Sequence, residues 1–508
     1  MSRTSRQSLH LYRRRFTCAV LVIYLQGCSS GPALKPWHTE ALTEEFTADM
    51  VEDGQVRSFA DYRALEGRLF KQLDDEVYAR TERGPAHELE RYSYGSAADP
   101  EHRPVNWNHS FELTSQSAIG GVLLLHGMSD SPYTMRALGE ALNQHGYHVV
   151  ALRSPGHGTA PSGLKHVTWQ DMAAAVRLGM EHLASELGSK PLHIIGYSTG
   201  APLAMNYTLD ALEENDAPLP VSLVMLSPAI MVHPTGALAG FKNALAVLPG
   251  LGGLAYLSVM DEFDPYKYNS FATNAGAQVH RITTHVDRRV QTLARDPAAV
   301  DRLPPILVLK STVDATVTTD AVVTRLLTGL PANRNELLLF DINRNAAIKS
   351  TLLVDDPGPL TNRLMAAQDL PFAVTFVTNE DPYSTRVVAR HKAPFSSEAS
   401  ETEDLNLSWP SGVVSLSHVA LPFPPDDPVY GQQPPEDDDL LFLGDLAIKG
   451  ERGILKIPGE WLLRLRYNPF YTYMQTRVLQ WLGDANTLSA EEGLNASDVV
   501  LFQAGGSD

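Results

Sequence analysis

The sequence predicts an α/β protein with a mostly parallel sheet that is covered by helices on both faces. Short apolar runs, such as residues 121–125 and 192–195, alternate with amphipathic segments such as residues 169–187. Strands that are apolar at every position are typical of parallel sheets, because helices cover both of their faces. With 44% hydrophobic and 20% charged residues in 508, the composition excludes disorder, collagen and coiled coil for the whole chain.

The strands and helices alternate along most of the chain. Helical spacing first appears upstream of the sheet, at Tyr62, Leu65, Leu69, Leu73 and Val77. The predicted strands are residues 121–125, 148–152, 192–195, 221–226, 306–309 and 337–342. Amphipathic helices are predicted between them, around 135–142, 169–187 and 201–209, and a last helix around 474–482.

This alternation is interrupted twice, which divides the chain into segments. We predict a signal peptide (1–27), a tether (28–37), a helical extension (38–105), a core (106–228 and 304–342), a cap (229–303), a second insertion (343–412) that leaves the sheet, and a final segment (413–508) with a strand, a loop and the last helix. The cap begins with an apolar stretch that contains Leu238, Phe241, Leu245, Val247, Leu248, Leu251 and Leu254. Such residues suit a hydrophobic ligand, and they also suit simple packing onto the body.

The charge distribution excludes nucleic acid as a partner. The net charge is −18, and residues 1–27 hold five arginines and no acid, so the rest of the chain is still more acidic. An acidic body repels phosphate backbones. Cys18 and Cys28 are the only cysteines in the sequence, so the folded body contains neither a disulfide nor a thiolate metal site.

The first 28 residues have the pattern of an export signal. Three arginines at 13–15 precede an apolar run at 16–25, which is too short to span a bilayer as a helix. The following 25–28 (LQGC) resembles a bacterial lipobox, which implies that Cys28 is lipidated. With Ser29 after it, the resemblance implies an anchor in the outer membrane, facing the periplasm. An uncleaved anchor, an ordinary cleaved signal and a twin-arginine signal are the alternatives.

A nucleophilic serine is predicted at Ser198. Residues 196–200 (GYSTG) fit the pattern G-x-S-x-G, and they lie between the strand 192–195 and a helix. This strand–turn–helix setting lifts the serine hydroxyl above the sheet at a helix N-terminus. A second copy of the pattern at 27–31 lies in the signal region and lacks that setting.

A second motif follows the strand at 121–125 and supplies the loop His126-Gly127-Met128. An acyl-transfer site needs two backbone N–H groups for the oxyanion, one after the nucleophile and one from this loop. These donors are predicted to be Thr199 and Met128. His126 is interpreted as a structural loop residue and not as a base.

Together these motifs resemble the α/β-hydrolase superfamily, within it the bacterial carboxylesterase and monoacylglycerol-lipase branch, which also includes serine aminopeptidase-like proteins. The resemblance rests on 126–127 (HG), 131–133 (SPY), 153–159 (RSPGHGT), Trp169 and 196–200 (GYSTG). It covers residues 118–230 densely and extends more loosely to 342. It implies an α/β-hydrolase fold with a cap, and a structural role for His157.

A serine nucleophile needs an imidazole base and a carboxylate that orients the imidazole. In this fold the chain order is Ser, Asp or Glu, then His. Asp314 lies a few residues past the strand 306–309 and matches the acid position, whereas Asp320 fits a turn or a helix cap better.

The base is harder to place, because the resemblance puts it directly after the last strand, and residues 343–345 (NRN) after the strand 337–342 contain no histidine. Two histidines remain downstream, and His418, at the end of an apolar run, is preferred to His391, which lies between charged residues. The predicted catalytic residues are therefore Ser198, Asp314 and His418.

The sequence therefore predicts a serine hydrolase that cleaves carboxylic esters, of the lipase, esterase or lysophospholipase kind. It needs no metal or organic cofactor, and its partners are a small ester or lipid substrate and the membrane. The acidic loop that contains Asp426, Asp427 and residues 436–439 (EDDD) is interpreted as a solvated face and not as a calcium site. A peptidase or amidase of the same fold and a non-catalytic envelope scaffold are the alternatives.

Overall fold

The structure is a computed structural model of the chain. It describes residues 33–214, 217–230, 252–314, 316–332, 334–345, 353–354, 356–436, 441–444, 449–456 and 463–504, with side-chain surroundings for all of these except 252–253 and 491–504. The signal region with Cys28, and the apolar cap residues from Leu238 to 251, lie outside the described residues.

Strands of the described part form one large sheet and two small ribbons. In chain order the strands are β1 (Phe111–Leu113), β2 (Gly120–Leu125), β3 (Tyr147–Leu152), β4 (Leu192–Tyr197), β5 (Ser222–Leu226), β6 (Tyr256–Ser258), β7 (Phe271–Ala272), β8 (Ile306–Ser311), β9 (Glu336–Phe340), β10 (Ala373–Asn379), β11 (Arg386–Lys392), β12 (Glu401–Ser408), β13 (Lys449–Gly450) and β14 (Leu463–Arg464). The large sheet has the order β1-β3-β2-β4-β5-β8-β9-β10-β11-β12. In this order, the neighbouring strands β3-β2-β4-β5-β8-β9-β10 are parallel to one another. At the two edges of the sheet, β1, β11 and β12 pair antiparallel.

The α-helices cover this sheet. They are α1 (Pro36–Thr39), α2 (Asp49–Glu52), α3 (Phe59–Glu76), α4 (Arg136–Gln144), α5 (Trp169–Leu187), α6 (Gly200–Glu213), α7 (Thr273–Leu293), α8 (Pro297–Val300), α9 (Thr319–Ala321), α10 (Gly358–Ala366) and α11 (Tyr471–Ala504). None of the helices in the described part combines the length and the apolar character needed to cross a membrane.

Two hydrophobic cores lie on opposite faces of the sheet. Along β2, Leu123 and Leu125 belong to the core that contains α5, α6 and α7, whereas Val122 and Leu124 belong to the core that contains α4 and α11. Successive side chains of a strand point to opposite faces, so a run that is buried at every position needs a core on each side. The predicted α/β class with a doubly covered, mostly parallel sheet is confirmed.

The helical extension packs directly on the body. Tyr62, Leu65, Leu69, Leu73 and Val77, which gave the helical spacing, are all buried. Helix α3 begins where the Ser58 side chain accepts a hydrogen bond from the backbone N–H of Asp61.

Two acidic side chains of this extension bind Arg153 of the core. Arg153 is buried between Glu45, at 2.9 Å, and Glu66, at 3.0 Å. At the end of the predicted tether (28–37), Trp37 lies in helix α1 and is buried against Tyr92.

The second insertion differs from the expectation that residues 343–412 leave the sheet. Strand β10 pairs parallel to β9, and β11 and β12 continue the same sheet to its edge. Residues 374–379 are all buried, as in the other inner strands, so this part of the segment extends the sheet.

The chain then returns to the end of β9. Ser415 forms an antiparallel bridge with Ile342, and the backbone N–H of Asn343 donates to the carbonyl of Val414 at 2.8 Å. Residues 413–416 therefore form only isolated bridges and not the predicted strand, and His418 begins a short 3₁₀ turn, His418–Ala420.

The acidic loop after this turn is not a fully solvated face, as the sequence suggested. Asp427 is 2% exposed, and its carboxylate accepts hydrogen bonds from the Tyr133 hydroxyl and from the backbone N–H groups of Val429 and Tyr430. Its charge is also balanced by Arg136, at 3.6 Å. Asp427 therefore holds a turn together, and residues 437–439 of the same loop lie outside the described residues.

Candidate active site

The turn between β4 and α6 holds Ser198 in a strained backbone conformation. Its φ is +51°, a left-handed value that is uncommon for a residue with a side chain. The turn is tight: a Cβ on Gly196 would lie 2.5 Å from the carbonyl carbon of Gly200, and a Cβ on Gly200 would collide with the carbonyl oxygen of Leu125. Both glycines of the pattern are therefore required by close backbone packing.

Ser198, His418 and Asp314 form a continuous hydrogen-bonded chain. The distance from His418 Nε2 to Ser198 Oγ is 3.1 Å, and the distance from His418 Nδ1 to Asp314 Oδ2 is 2.8 Å. The three residues come from the turn after β4, the loop after β8 and the 3₁₀ turn at His418, respectively. The structure thus brings together the three residues that the sequence singled out, across separations of 220 and 104 positions from His418.

Asp314 is held as a carboxylate. Burial by itself would raise the pKa of Asp314, but the charges of His418 and Lys310 and several hydrogen bonds outweigh burial and lower the pKa below its ordinary value. Its second oxygen accepts the backbone N–H groups of Thr316, at 2.8 Å, and Val317, at 3.1 Å. Oδ2 therefore accepts the Nδ1–H of His418, so that Nε2, which faces Ser198, carries no proton and can act as a base.

Lys310 supports the same loop from inside the protein. It is fully buried, and its ammonium donates to the carbonyls of Ser311 and Val317 and to the hydroxyl of Thr319, at 3.0–3.1 Å. Burial lowers the pKa of Lys310.

Other histidines that the sequence considered have different partners. His126 Nδ1 donates to the carbonyl of Gly127, and its Nε2 accepts the backbone N–H of Ser154 at 3.0 Å. Burial lowers the pKa of His126 to about 4 and that of His157 to about 3, so both rings are neutral structural groups. His391 lies on β11, where its ring nitrogens contact Thr375 and Glu403.

A cavity of about 390 Å³ opens above Ser198. Met128 and Thr199, the two predicted oxyanion donors, both line it. Thr199 is the residue that precedes helix α6, where backbone N–H groups and the helix dipole favour negative charge. The remaining wall is largely apolar and includes Leu257, Phe271 and Val279 from the segment predicted as the cap.

Two cations at the cavity wall, Lys267 and Arg464, are each paired with a buried carboxylate, that of Asp130 and that of Glu451. Lys267 forms an ion pair with Asp130, which is 6% exposed. The residues next to Lys267 and Asp130 are also joined: the backbone N–H of Tyr268 donates to the carbonyl of Ser129 at 2.8 Å. The segment 264–270 is therefore fixed to the loop that carries Met128.

Glu451, which sequence reasoning missed, holds the His418 turn. Its carboxylate is completely buried and accepts the backbone N–H of His418 at 2.6 Å. Arg464 pairs with the other carboxylate oxygen at 3.0 Å, and the backbone N–H of Glu451 donates to the hydroxyl of Ser415 at 2.9 Å. No local pattern around 449–452 distinguishes this glutamate from a surface residue, because His418 and Arg464, which it contacts, lie 33 and 13 positions away.

Comparison with known proteins supports the fold. Residues 116–341 match the family model described as Hydrolase_4, serine aminopeptidase, S33. A thermostable monoacylglycerol lipase of a Bacillus species is 32% identical over 116 residues, which are 23% of this chain and 45% of that lipase. A Bacillus subtilis carboxylesterase is 38% identical over 99 residues, which are 19% of this chain and 40% of that esterase.

These matches are partial: the chain spans less than half the length of the curated relatives it matches. Among solved structures, a monoacylglycerol lipase of Paleococcus ferrophilus has 19% identity and a TM-score of 0.34, over 46% of this chain and 88% of that chain. The chain has an α/β-hydrolase fold, and its residues 116–341 are similar to the serine aminopeptidase S33 family, in the branch of the monoacylglycerol lipase and carboxylesterase.

Proposed function

We propose that the protein is a serine hydrolase that cleaves carboxylic esters of hydrophobic acyl groups. The observation that carries this proposal is the chain Ser198–His418–Asp314, with both its contacts at hydrogen-bond distance, at the floor of a largely apolar cavity. The likeness to proteins named as a monoacylglycerol lipase and a carboxylesterase supports the same reaction.

In the first half of the proposed reaction, Ser198 Oγ attacks the acyl carbon while His418 Nε2 takes the hydroxyl proton. The backbone N–H groups of Met128 and Thr199 stabilise the negative charge that develops on the carbonyl oxygen. Asp314 stabilises the imidazolium of His418. The tetrahedral intermediate then collapses, the bond to the alcohol breaks, and His418 donates its proton to the departing alkoxide.

In the second half, water replaces the alcohol. His418 takes a proton from the water, whose oxygen attacks the acyl-enzyme carbonyl, and the same N–H groups hold the second oxyanion. Collapse releases the carboxylic acid, and Ser198 regains its proton from His418. The cycle consumes one water and needs no other reactant.

The charges of the cavity favour an ester over a peptide with a free amino terminus. An aminopeptidase must bind the ammonium group of its substrate, for which an unpaired carboxylate is the natural partner. Among the described residues that line the cavity, the one carboxylate is Asp130, and Lys267 already neutralises it. An uncharged apolar acyl group fits the remaining wall better.

Matched chromogenic substrates test this choice. We expect p-nitrophenyl esters of medium-chain acids to be hydrolysed, and the p-nitroanilides of the same acids and of leucine to give no turnover above the Ser198→Ala background. The measurement is kcat/KM for each pair at equal acyl length. Faster release from leucine p-nitroanilide than from the esters would contradict the proposal and favour the aminopeptidase.

Glu451 is expected to act as a positioning residue for His418. In Glu451→Ala the buried N–H of His418 loses its acceptor, and we expect kcat to fall by about 10- to 100-fold with little change in KM, since a displacement near 1 Å can cost that much. Glu451→Gln keeps an acceptor oxygen and should recover most of the rate. The matched control is Glu380→Ala, at an exposed ion pair with Arg386.

The two glutamate variants together decide the role of this residue. If Glu451→Ala keeps the wild-type kcat, the contact has no positioning role. If Glu451→Gln is as slow as Glu451→Ala while both remain folded, the charge and not the hydrogen bond is what matters.

The proposal includes attachment to the bacterial cell envelope through Cys28, in the outer membrane and facing the periplasm. Its support is the sequence pattern alone, an arginine-rich start, a short apolar run and the residues 25–28 (LQGC). A membrane location would bring the enzyme close to lipid esters.

A further inference from the structure

Three side chains that can bind a metal converge at the edge of the sheet where β1 pairs with β3. Glu112 lies on β1, His148 on β3 and His182 on α5, and their ligand atoms all lie within 4.8 Å of one another. Both histidines direct Nε2 at the same carboxylate oxygen, Glu112 Oε1, at 2.7 Å from His148 and 2.8 Å from His182. Among the residues that the structure describes, this is the one such group of three.

We propose that Glu112, His148 and His182 bind a divalent transition-metal ion of the zinc type, which joins the short edge strand β1 to helix α5. Two imidazole nitrogens and one carboxylate oxygen are a donor set that zinc accepts, with water completing a tetrahedron. The inference does not depend on the proposed esterase activity.

The present spacing is close to what a bound ion needs. Metal–ligand bonds of about 2.0–2.1 Å in a tetrahedron place the donor atoms about 3.3 Å apart. The two nitrogens would therefore have to move away from Oε1 by only about 0.5 Å. Each Nε2 would then bind the metal in place of its hydrogen bond to Oε1, and its proton would pass to Nδ1 of the same ring or to solvent. The side chains of Glu112 and His182 are 17% and 20% exposed, which leaves them room for this shift and gives the ion access.

The surroundings allow a cation there. Phe59 packs on the ring of His182, with the ring centroids 5.1 Å apart, and so limits its rotation. Arg63 approaches the other oxygen, Glu112 Oε2, at 3.8 Å, but its side chain is 47% exposed and can extend into solvent. The positive charge of Arg63 therefore need not compete for Oε1.

The site is separate from the candidate active site. His148 is the second residue of β3 and pairs in register with Gly121, near the amino ends of the parallel strands. Ser198 follows the carboxyl end of β4. A metal at Glu112 is thus expected to stabilise the sheet edge without taking part in ester cleavage.

Metal binding to the full-length protein tests the inference. After treatment with EDTA and dialysis, Zn²⁺ is titrated calorimetrically into the wild type, His182→Gln, Glu112→Gln and the control His87→Gln. His87 also contacts two carboxylates, Glu82 and Glu90, but no second histidine. Co²⁺ serves as a second probe, because its visible spectrum reports tetrahedral coordination.

We expect the wild type and His87→Gln to bind one equivalent of Zn²⁺ with equal affinity, and the cluster variants to lose at least about tenfold. Zn²⁺ should raise the Tm of the wild type and not that of His182→Gln. Equal Zn²⁺ affinity in the wild type and in both cluster variants, or no binding at one equivalent, would overturn the inference and leave a hydrogen-bonded cluster. Circular dichroism in EDTA shows whether each variant is folded. Labelling of Ser198 by a fluorophosphonate should be the same in the wild type and the three variants.

Discussion

Replacing Ser198 by alanine is expected to reduce the rate of ester hydrolysis by about 10⁵- to 10⁶-fold. The remaining rate would come from substrate binding and the oxyanion donors alone. The nucleophile is lost, while Met128 and Thr199 still offer their amides to the substrate. The stability should hardly change, because serine and alanine carry the same Cβ and so the strain at φ +51° is the same in both. The measurements are kcat/KM with a p-nitrophenyl ester and the Tm.

A matched control lies one strand away. Ser227 follows β5, has φ +42°, is fully buried, and its hydroxyl has no hydrogen-bond partner within the described residues. Ser227→Ala should keep full activity. Retention of more than a few per cent of the activity in Ser198→Ala would contradict the assignment of the nucleophile.

Replacing Asp314 by asparagine is expected to reduce kcat by about 10⁴-fold. In the wild type, the Asp314 carboxylate accepts the Nδ1–H of His418 at 2.8 Å. In the variant, the amide nitrogen of asparagine would donate to Nδ1, so the proton of the imidazole would have to lie on Nε2. His418 could then no longer take the proton of Ser198. The measurement is kcat at neutral pH.

The control for this carboxylate is Asp320→Asn. Asp320 is exposed and pairs with Arg363 at the surface, and the sequence predicts for it a role in a turn or a helix cap. It is the second residue of helix α9, whose N-cap is Thr318. A loss in Asp320→Asn as large as that in Asp314→Asn would show that the loop as a whole, and not the contact with His418, is responsible.

The core of the fold could be predicted because its signals are local. A strand that is apolar at every position, followed by a helix with a 3.6-residue period, identifies β2, β4 and β8 without any long-range information. The tight turn at Ser198 could also be predicted from a local signal, because the glycines at 196 and 200 indicate it in the sequence. Asp314 follows from its place after a late strand.

The rest of the site depends on contacts between distant segments. His418 is 104 residues from Asp314, and only the small number of downstream histidines made it predictable. Glu451 acts through one backbone N–H that the sequence does not identify. The sequence predicts an excursion from the sheet where strands β10 to β12 lie, because the resemblance ends near residue 342 and gives no pattern for an added edge. The histidines of the proposed metal site are 36 and 70 positions from Glu112, without any ligand spacing to reveal them.

The most direct test of the catalytic assignment is labelling of the purified protein with a fluorophosphonate, followed by mass-spectrometric mapping of the modified residue. We expect a single adduct on Ser198 in the wild type and almost none in His418→Ala, because the serine is nucleophilic only with its base. An adduct on another residue, or equally fast labelling in His418→Ala, would contradict the assignment of Ser198 and His418 as nucleophile and base.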